Sequence, residues 1–122
     1  MPKYELEERT LKFAKKVRVF IRKISKDIAN IEDGKQLIRS SGSVGANYIE
    51  ANEALSKKDF QYRIKICKKE AKESSFWLEL ISVLGSTNLE EERIKLYQES
   101  VELVKIFSAI YNNSNKINES VF

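Results

Sequence analysis

The chain is expected to be all-α: one domain folded as an antiparallel up-down-up-down bundle of four helices. Three observations carry this. Its 122 residues include one proline and four glycines, too few turn formers for a β or α/β chain. Lys, Glu, Leu, Ile and Ala are plentiful, which favours helix. Apolar residues recur at three- and four-residue steps along four successive stretches separated by short polar breaks. A chain of this length makes one domain and can bury a core without metal or disulfide support.

The first helix is read over residues 5–28, where Leu6, Thr10, Phe13, Val17, Phe20, Ile21, Ile24 and Ile28 form one stripe. The opposite face carries Lys12, Lys15, Lys16, Arg18, Arg22, Lys23 and Lys26, with no acid among them. Asn30 or Asp33 marks the break before a second helix over 32–54. Ser56 is the expected N-cap of the third, with Asp59 three residues on as a capping-box acid. That helix runs to about 84 on Phe60, Ile64, Cys67, Ala71, Ser74, Leu78 and Ile81, and Gly85 is its natural stop. Ser86, Thr87 and Asn88 supply the next turn, and Glu90, Glu91 and Glu92 sit where the dipole of the fourth helix favours negative charge. Its stripe is Ile94, Tyr97, Val101, Val104, Phe107 or Ser108, and Tyr111. Residues 1–114 thus form the bundle, and the polar tail 115–122 is expected to fray.

The second helix contains an anomaly. Gly42 and Gly45 lie among Ser40, Ser41 and Ser43, although each glycine in a helix costs about 1 kcal/mol relative to alanine. Gly34, Leu37, Ile38, Ser41, Gly45, Tyr48, Ile49 and Asn52 share one face. Two explanations stand. Ser41, Gly42 and Gly45 admit a neighbouring helix unusually closely, with Phe13, Phe20, Phe60 or Trp77 filling the groove, or the Gly/Ser cluster is a kink. The outward strip of Ser40, Ser43, Val44, Asn47 and Glu50 is polar but weakly charged, which suits contact with another subunit.

Several chemistries are excluded. The chain has no histidine, so the commonest metal ligand and general base are missing. Glu50, Glu70 and Glu73 lack the Glu-x-x-His partners of a di-metal bundle. No phosphate-binding glycine loop or nucleophile–base set occurs. We therefore expect no enzyme, metal or cofactor. Cys67 reads as a small core residue, and a lone cysteine fits a reducing cytoplasm. The start, MPKYELEERT, is too charged for a signal peptide. No apolar run approaches the ~20 residues that span a bilayer, so a cytoplasmic, bacterial-type protein is expected.

The stretch SGSVGANYIEANEALSKKDFQYRIKICKKEAKESSFWLELI carries a family resemblance. Ser43, Val44, Asn47, Glu50 and Ala51 are followed by Ser56, Lys57, Asp59 and Phe60. Lys69, Glu70, Ala71, Glu73, Ser74, Trp77 and Leu78 complete the pattern. In order and spacing these resemble the signature of the 23S rRNA intervening-sequence proteins. Tyr48-Ile49 departs from a common Ile-Ala, and Gln61-Tyr62-Arg63 is more polar than usual. The resemblance implies a ring-like homopentamer of four-helix bundles with no enzymatic activity. A related branch, the accessory protein of diversity-generating retroelements, binds a reverse transcriptase and nucleic acid.

The net charge of +4 and pI near 9.1 point the same way, though not strongly. The cations of the first helix, joined by Lys65, Lys68, Lys69 and Lys72 of the third, would neutralise phosphates of RNA or DNA. Lys65–Lys69 and Lys68–Lys72 are like-charge i,i+4 pairs that an acidic partner would relieve. That partner is nucleic acid, or Glu90–Glu92, Glu99 and Glu102 on the same or a neighbouring subunit; otherwise the lysines are simply solvated. Trp77, off the main stripe, fills either the core or a subunit interface. Tyr4, Tyr62 and Phe122 look scattered, so no stacking platform is visible. The function expected is an oligomeric adaptor or scaffold with a basic surface for nucleic acid or a nucleic-acid enzyme. The alternative is a purely structural homo-oligomer acting through protein contacts.

Overall fold

The computed structural model describes residues 1–122. Four helices, α1 (Lys3–Lys23), α2 (Ile28–Asn52), α3 (Lys57–Leu80) and α4 (Thr87–Ser114), precede one 3-10 turn, Glu119–Val121. There are no strands. Each of α1 and α3 packs against both α2 and α4, so α1 and α3 occupy diagonal corners. Cross-helix pairs show every neighbour running antiparallel: Thr10 meets Gly45, Ser40 meets Ser74, Ser75 meets Ser100, and Arg9 meets Glu99.

The helix ends follow side-chain caps. Ser56 caps α3 by accepting from the Asp59 N–H (3.0 Å), as its spacing predicts. Ser86 does the same for α4 through Leu89. The first break lies earlier than expected. Ile24 and Ile28 continue the helical spacing, yet the chain turns extended at Ile24 and restarts at Ile28, because Asp27 caps α2 through the Asn30 N–H (2.9 Å). Ile28, read as core, is therefore exposed, and Asn30, read as a break, is buried within α2.

Asn30 joins two loops at one end of the bundle. Its carboxamide donates to the Ser25 carbonyl (3.0 Å) and the Ser82 carbonyl (2.8 Å), and accepts from the Ser82 N–H (3.1 Å). This explains why α3 stops at Leu80 rather than near residue 84. Ile81 turns extended and inward, and the next residue is held by Asn30. Leu84 (φ 53°) and Gly85 (φ 82°) then make the left-handed turn; Gly85 serves the connection rather than the helix terminus. Arg93 of α4 donates to the Leu78 carbonyl (3.0 Å), satisfying a group the end of α3 leaves open.

The core is built on Phe13, Phe20, Phe107, Leu37, Ile64 and Leu103, with Tyr48 edge-on to Phe107 at 5.5 Å. The α1 and α3 stripes hold, except that Ile28 is exposed and Ile21 and Phe60 are only half-buried. The α2 and α4 registers shift. In α2 the inward residues include Ser40, Val44 and Ala51, while Ile49 points out. In α4 they are Leu96, Ser100, Leu103, Phe107 and Ser114; Tyr97, Val101, Val104 and Tyr111 form a half-buried flank, and Ile94 is exposed. The reason is shared: buried serines pair across the seams. Ser40 and Ser74 hydroxyls lie 2.9 Å apart between α2 and α3, and Ser75 and Ser100 lie 2.6 Å apart between α3 and α4. Such pairs satisfy buried hydroxyls while letting helices approach.

The glycines have a related use. A Cβ at Gly45 would stand 2.9 Å from Thr10 Oγ1 and 3.3 Å from Thr10 Cβ, so α1 and α2 touch there. The close-packing reading is right, but Thr10 fills the groove rather than a large aromatic. At Gly42 the neighbour is the Arg18 guanidinium, at 3.2 Å.

The tail expected from its composition to fray is folded back on the start of α3. Glu119 accepts from the Lys57 N–H (3.1 Å), and Phe122 lies 6.0 Å from Phe60, ring centre to ring centre.

Candidate nucleic-acid interface

The two lysine runs that sequence reading combined are separate surfaces, because the outer faces of diagonal helices point away from each other. The α1 run is itself divided. Lys12, Lys15 and Lys16 line a groove of about 760 Å³ against α4, beside Lys95 and the Arg9–Glu99 pair. Arg9 holds Glu99 in a two-pronged bond, 2.7 Å on each prong, which raises the guanidinium above its ordinary value. Lys23 pairs with Glu92 at 3.2 Å. Arg18 is half-buried and donates to the Ala14 carbonyl (2.9 Å) and, across the seam, to the Ile38 carbonyl (3.3 Å). Its guanidinium is thus committed inside the protein and leaves the candidate binding set. Arg22 stays exposed on α1, and Lys26 is exposed in the connection that follows.

On α3 the arrangement differs. Lys65, Lys68, Lys69 and Lys72 are all exposed, and none takes part in an ion pair. Lys65 instead lies over the Tyr111 ring, 5.2 Å from its centre. The lysines line a groove of about 1000 Å³ whose apolar part is Tyr62, Ile66, Phe76 and Trp77. Tyr62 and Phe76 are exposed at 63% and 55%. Phe76 meets Trp77 edge-on at 5.0 Å. The indole N–H of Trp77 is buried without an acceptor.

One wall comes from α2. Arg39 pairs with Glu73 at 3.2 Å and approaches Glu70 at 3.6 Å. Glu70 is 5% exposed, and its Oε2 has no hydrogen-bond partner. The acids beside the lysine row are thus turned toward Arg39. The sequence reading missed the aromatic pair: it sought neighbours, whereas Tyr62 and Phe76 are fourteen residues apart and share a broad helix face through the steps 62, 66, 69, 73 and 76.

The residues assigned to subunit contact are rearranged as well. Val44 is wholly buried in the core, as is Ser40, and neither can meet another subunit. The register counted from bulky residues had turned them outward. Ser43 and Asn47 are half-buried and bonded to each other, and the Asn47 carbonyl oxygen accepts from Arg63 of α3 (3.0 Å). Glu50 is exposed, and Trp77 is half-buried against the core with one edge in the α3 groove. Ser41, Gly42 and Gly45 do lie at helix seams; Ser41 donates to the Ile38 carbonyl (3.2 Å).

No three His, Cys, Asp or Glu side chains cluster as a metal site. Cys67 is buried, and burial pushes its thiol up to about 12. No helix is long and apolar enough to cross a membrane.

The fold and this surface define a small helical-bundle protein with an unpaired cationic groove on one outer corner. Residues 3–109 match the family model described as 23S rRNA-intervening sequence protein, and the chain belongs to that family. It is also similar to a crystal structure, at 1.70 Å, of a protein of unknown function from the S23 ribosomal protein family of Bacteroides thetaiotaomicron. The TM-score is 0.77 and the identity 28%, over 92% of this chain and 99% of that one. No curated protein matches the chain.

Proposed function

We propose that this protein is a non-enzymatic adaptor or scaffold, a homo-oligomer that binds nucleic acid, or an enzyme acting on it such as a reverse transcriptase, through a basic surface. The observation that carries this reading is the α3 lysine row. Four exposed cations stand together with like-charge neighbours and no carboxylate partner, a cost that bound phosphates would remove. The family supports assembly into a ring-like homopentamer.

The test is anisotropy of labelled structured RNA and duplex DNA at low and near-physiological salt, with the mass of the assembly measured in the same buffers. Micromolar or tighter binding with a steep salt dependence supports the reading. An intact oligomer that binds neither probe at low salt overturns it. A purely structural homo-oligomer is favoured by a different observation: Tyr4, Leu11 and Val19 are exposed along the outer face of α1. These apolar side chains suit protein contact. Charge reversal at Lys15 and Arg22 that dissociates the oligomer would give α1 to assembly.

A further inference from the structure

We infer that the outer groove of α3 binds single-stranded nucleic acid by stacking bases on Tyr62 and Phe76 while the lysine row holds the backbone. This rests on the nucleic-acid reading above and adds to it which corner of the bundle is used and which form of nucleic acid it takes.

The argument starts from what is exposed together. A solvated lysine face does not explain two large aromatic side chains at its ends, both more than half exposed. A protein-only contact does not explain four unpaired cations beside them. A single strand offers what both need: bases with open faces and a phosphate chain. A duplex presents its phosphates but keeps base faces stacked inside, so Tyr62 and Phe76 would gain nothing from it. The fourteen residues from Tyr62 to Phe76 span about 21 Å along the helix, enough for a short run of nucleotides. Ile66 and Trp77 give the groove an apolar floor of about the breadth a base covers. Glu73, the half-exposed acid in the groove, is paired with Arg39, so little negative charge opposes the strand.

The groove contains its own reporter, since Trp77 is the single tryptophan of the chain. The experiment uses the full chain with a labelled uridine dodecamer and a labelled RNA duplex of the same length. Three proteins are compared: the unaltered chain, Y62A/F76A, and K68E/K72E. Both altered sets are exposed side chains, and circular dichroism verifies their helix content.

The unaltered chain should bind the single strand more tightly than the duplex, with quenching of Trp77 fluorescence. Y62A/F76A should lose about tenfold or more in single-strand affinity, from the usual worth of base–aromatic stacking, with little change for the duplex. K68E/K72E should weaken both probes and flatten the salt dependence, which for a single strand falls by about 0.7 per phosphate neutralised.

If Y62A/F76A binds the single strand like the unaltered chain while K68E/K72E does not, the surface is electrostatic only and the stacking proposal is overturned, the broader reading surviving. If neither probe binds at low salt, the broader reading falls as well. If Y62A/F76A lowers the mass of the assembly, a second copy covers the groove, and the proposal is overturned in favour of a protein contact.

Discussion

Asn30 and Ser82 hold each other in both directions: the buried carboxamide donates to the Ser82 carbonyl at 2.8 Å and accepts from its N–H at 3.1 Å. With its second bond to Ser25, this one side chain closes both connections at that end of the bundle. Asn30→Leu should destabilise by about 2–4 kcal/mol, since it strands buried backbone groups of two loops. Chemical denaturation would measure it. A loss below about 0.5 kcal/mol would mean that the loops are held by other contacts.

Gly45 and Gly42 should respond oppositely to alanine. At Gly45 the new Cβ meets Thr10, a branched side chain with little room to turn. Overpacking of about 1–3 kcal/mol should outweigh the ~1 kcal/mol gained in helix propensity. Gly42→Ala meets only the mobile tip of Arg18 and should be neutral or stabilising by up to ~1 kcal/mol. A Thr10→Ala background should reduce the Gly45→Ala penalty; additive effects in a double-mutant cycle would refute the contact.

Leu84 is exposed in the left-handed region at φ 53°, where a γ-branched side chain is strained. Leu84→Asn should raise stability by about 0.5–1 kcal/mol, seen as a higher melting temperature. An unchanged or lower value would show that the turn carries no strain.

Burial raises the Cys67 thiol from its ordinary 9.0 to about 12, so the folded state keeps its proton where the unfolded state loses it. The stability this group contributes is full below about pH 9 and is lost as pH rises toward 12. A thiol reagent at pH 8 should leave the folded protein unmodified and react on unfolding. Cys67→Ala should show a shallower alkaline loss of stability than the unaltered chain. Equal slopes would assign that loss to other groups.

Arg9–Glu99 and Lys23–Glu92 both cross from α1 to α4. The first is two-pronged and partly screened from water and should show a coupling of about 0.5–1 kcal/mol. The second, with its lysine half exposed, should couple by less than half of that. Both should weaken in high salt. A stronger Lys23 pair would invert this order.

Local chemistry in the sequence was enough for the helices themselves, the Ser56 cap, the α1 and α3 stripes and the close approach at Gly45. Each depends on residues within a few turns of one another, where periodicity and capping act. What periodicity could not decide was which way α2 and α4 face, because a serine counts as polar until its partner is known. Ser40 and Ser100 are interior only since Ser74 and Ser75 stand opposite them on α3. Asn30 looked like a helix break for the same reason, its acceptors lying in another loop more than fifty residues away. The basic surface shows the same division. Composition and charge spacing announced the lysines, but packing placed α1 and α3 on opposite corners, committed Arg18 to the Ile38 carbonyl, and left the α3 row beside Tyr62 and Phe76 without an acidic partner.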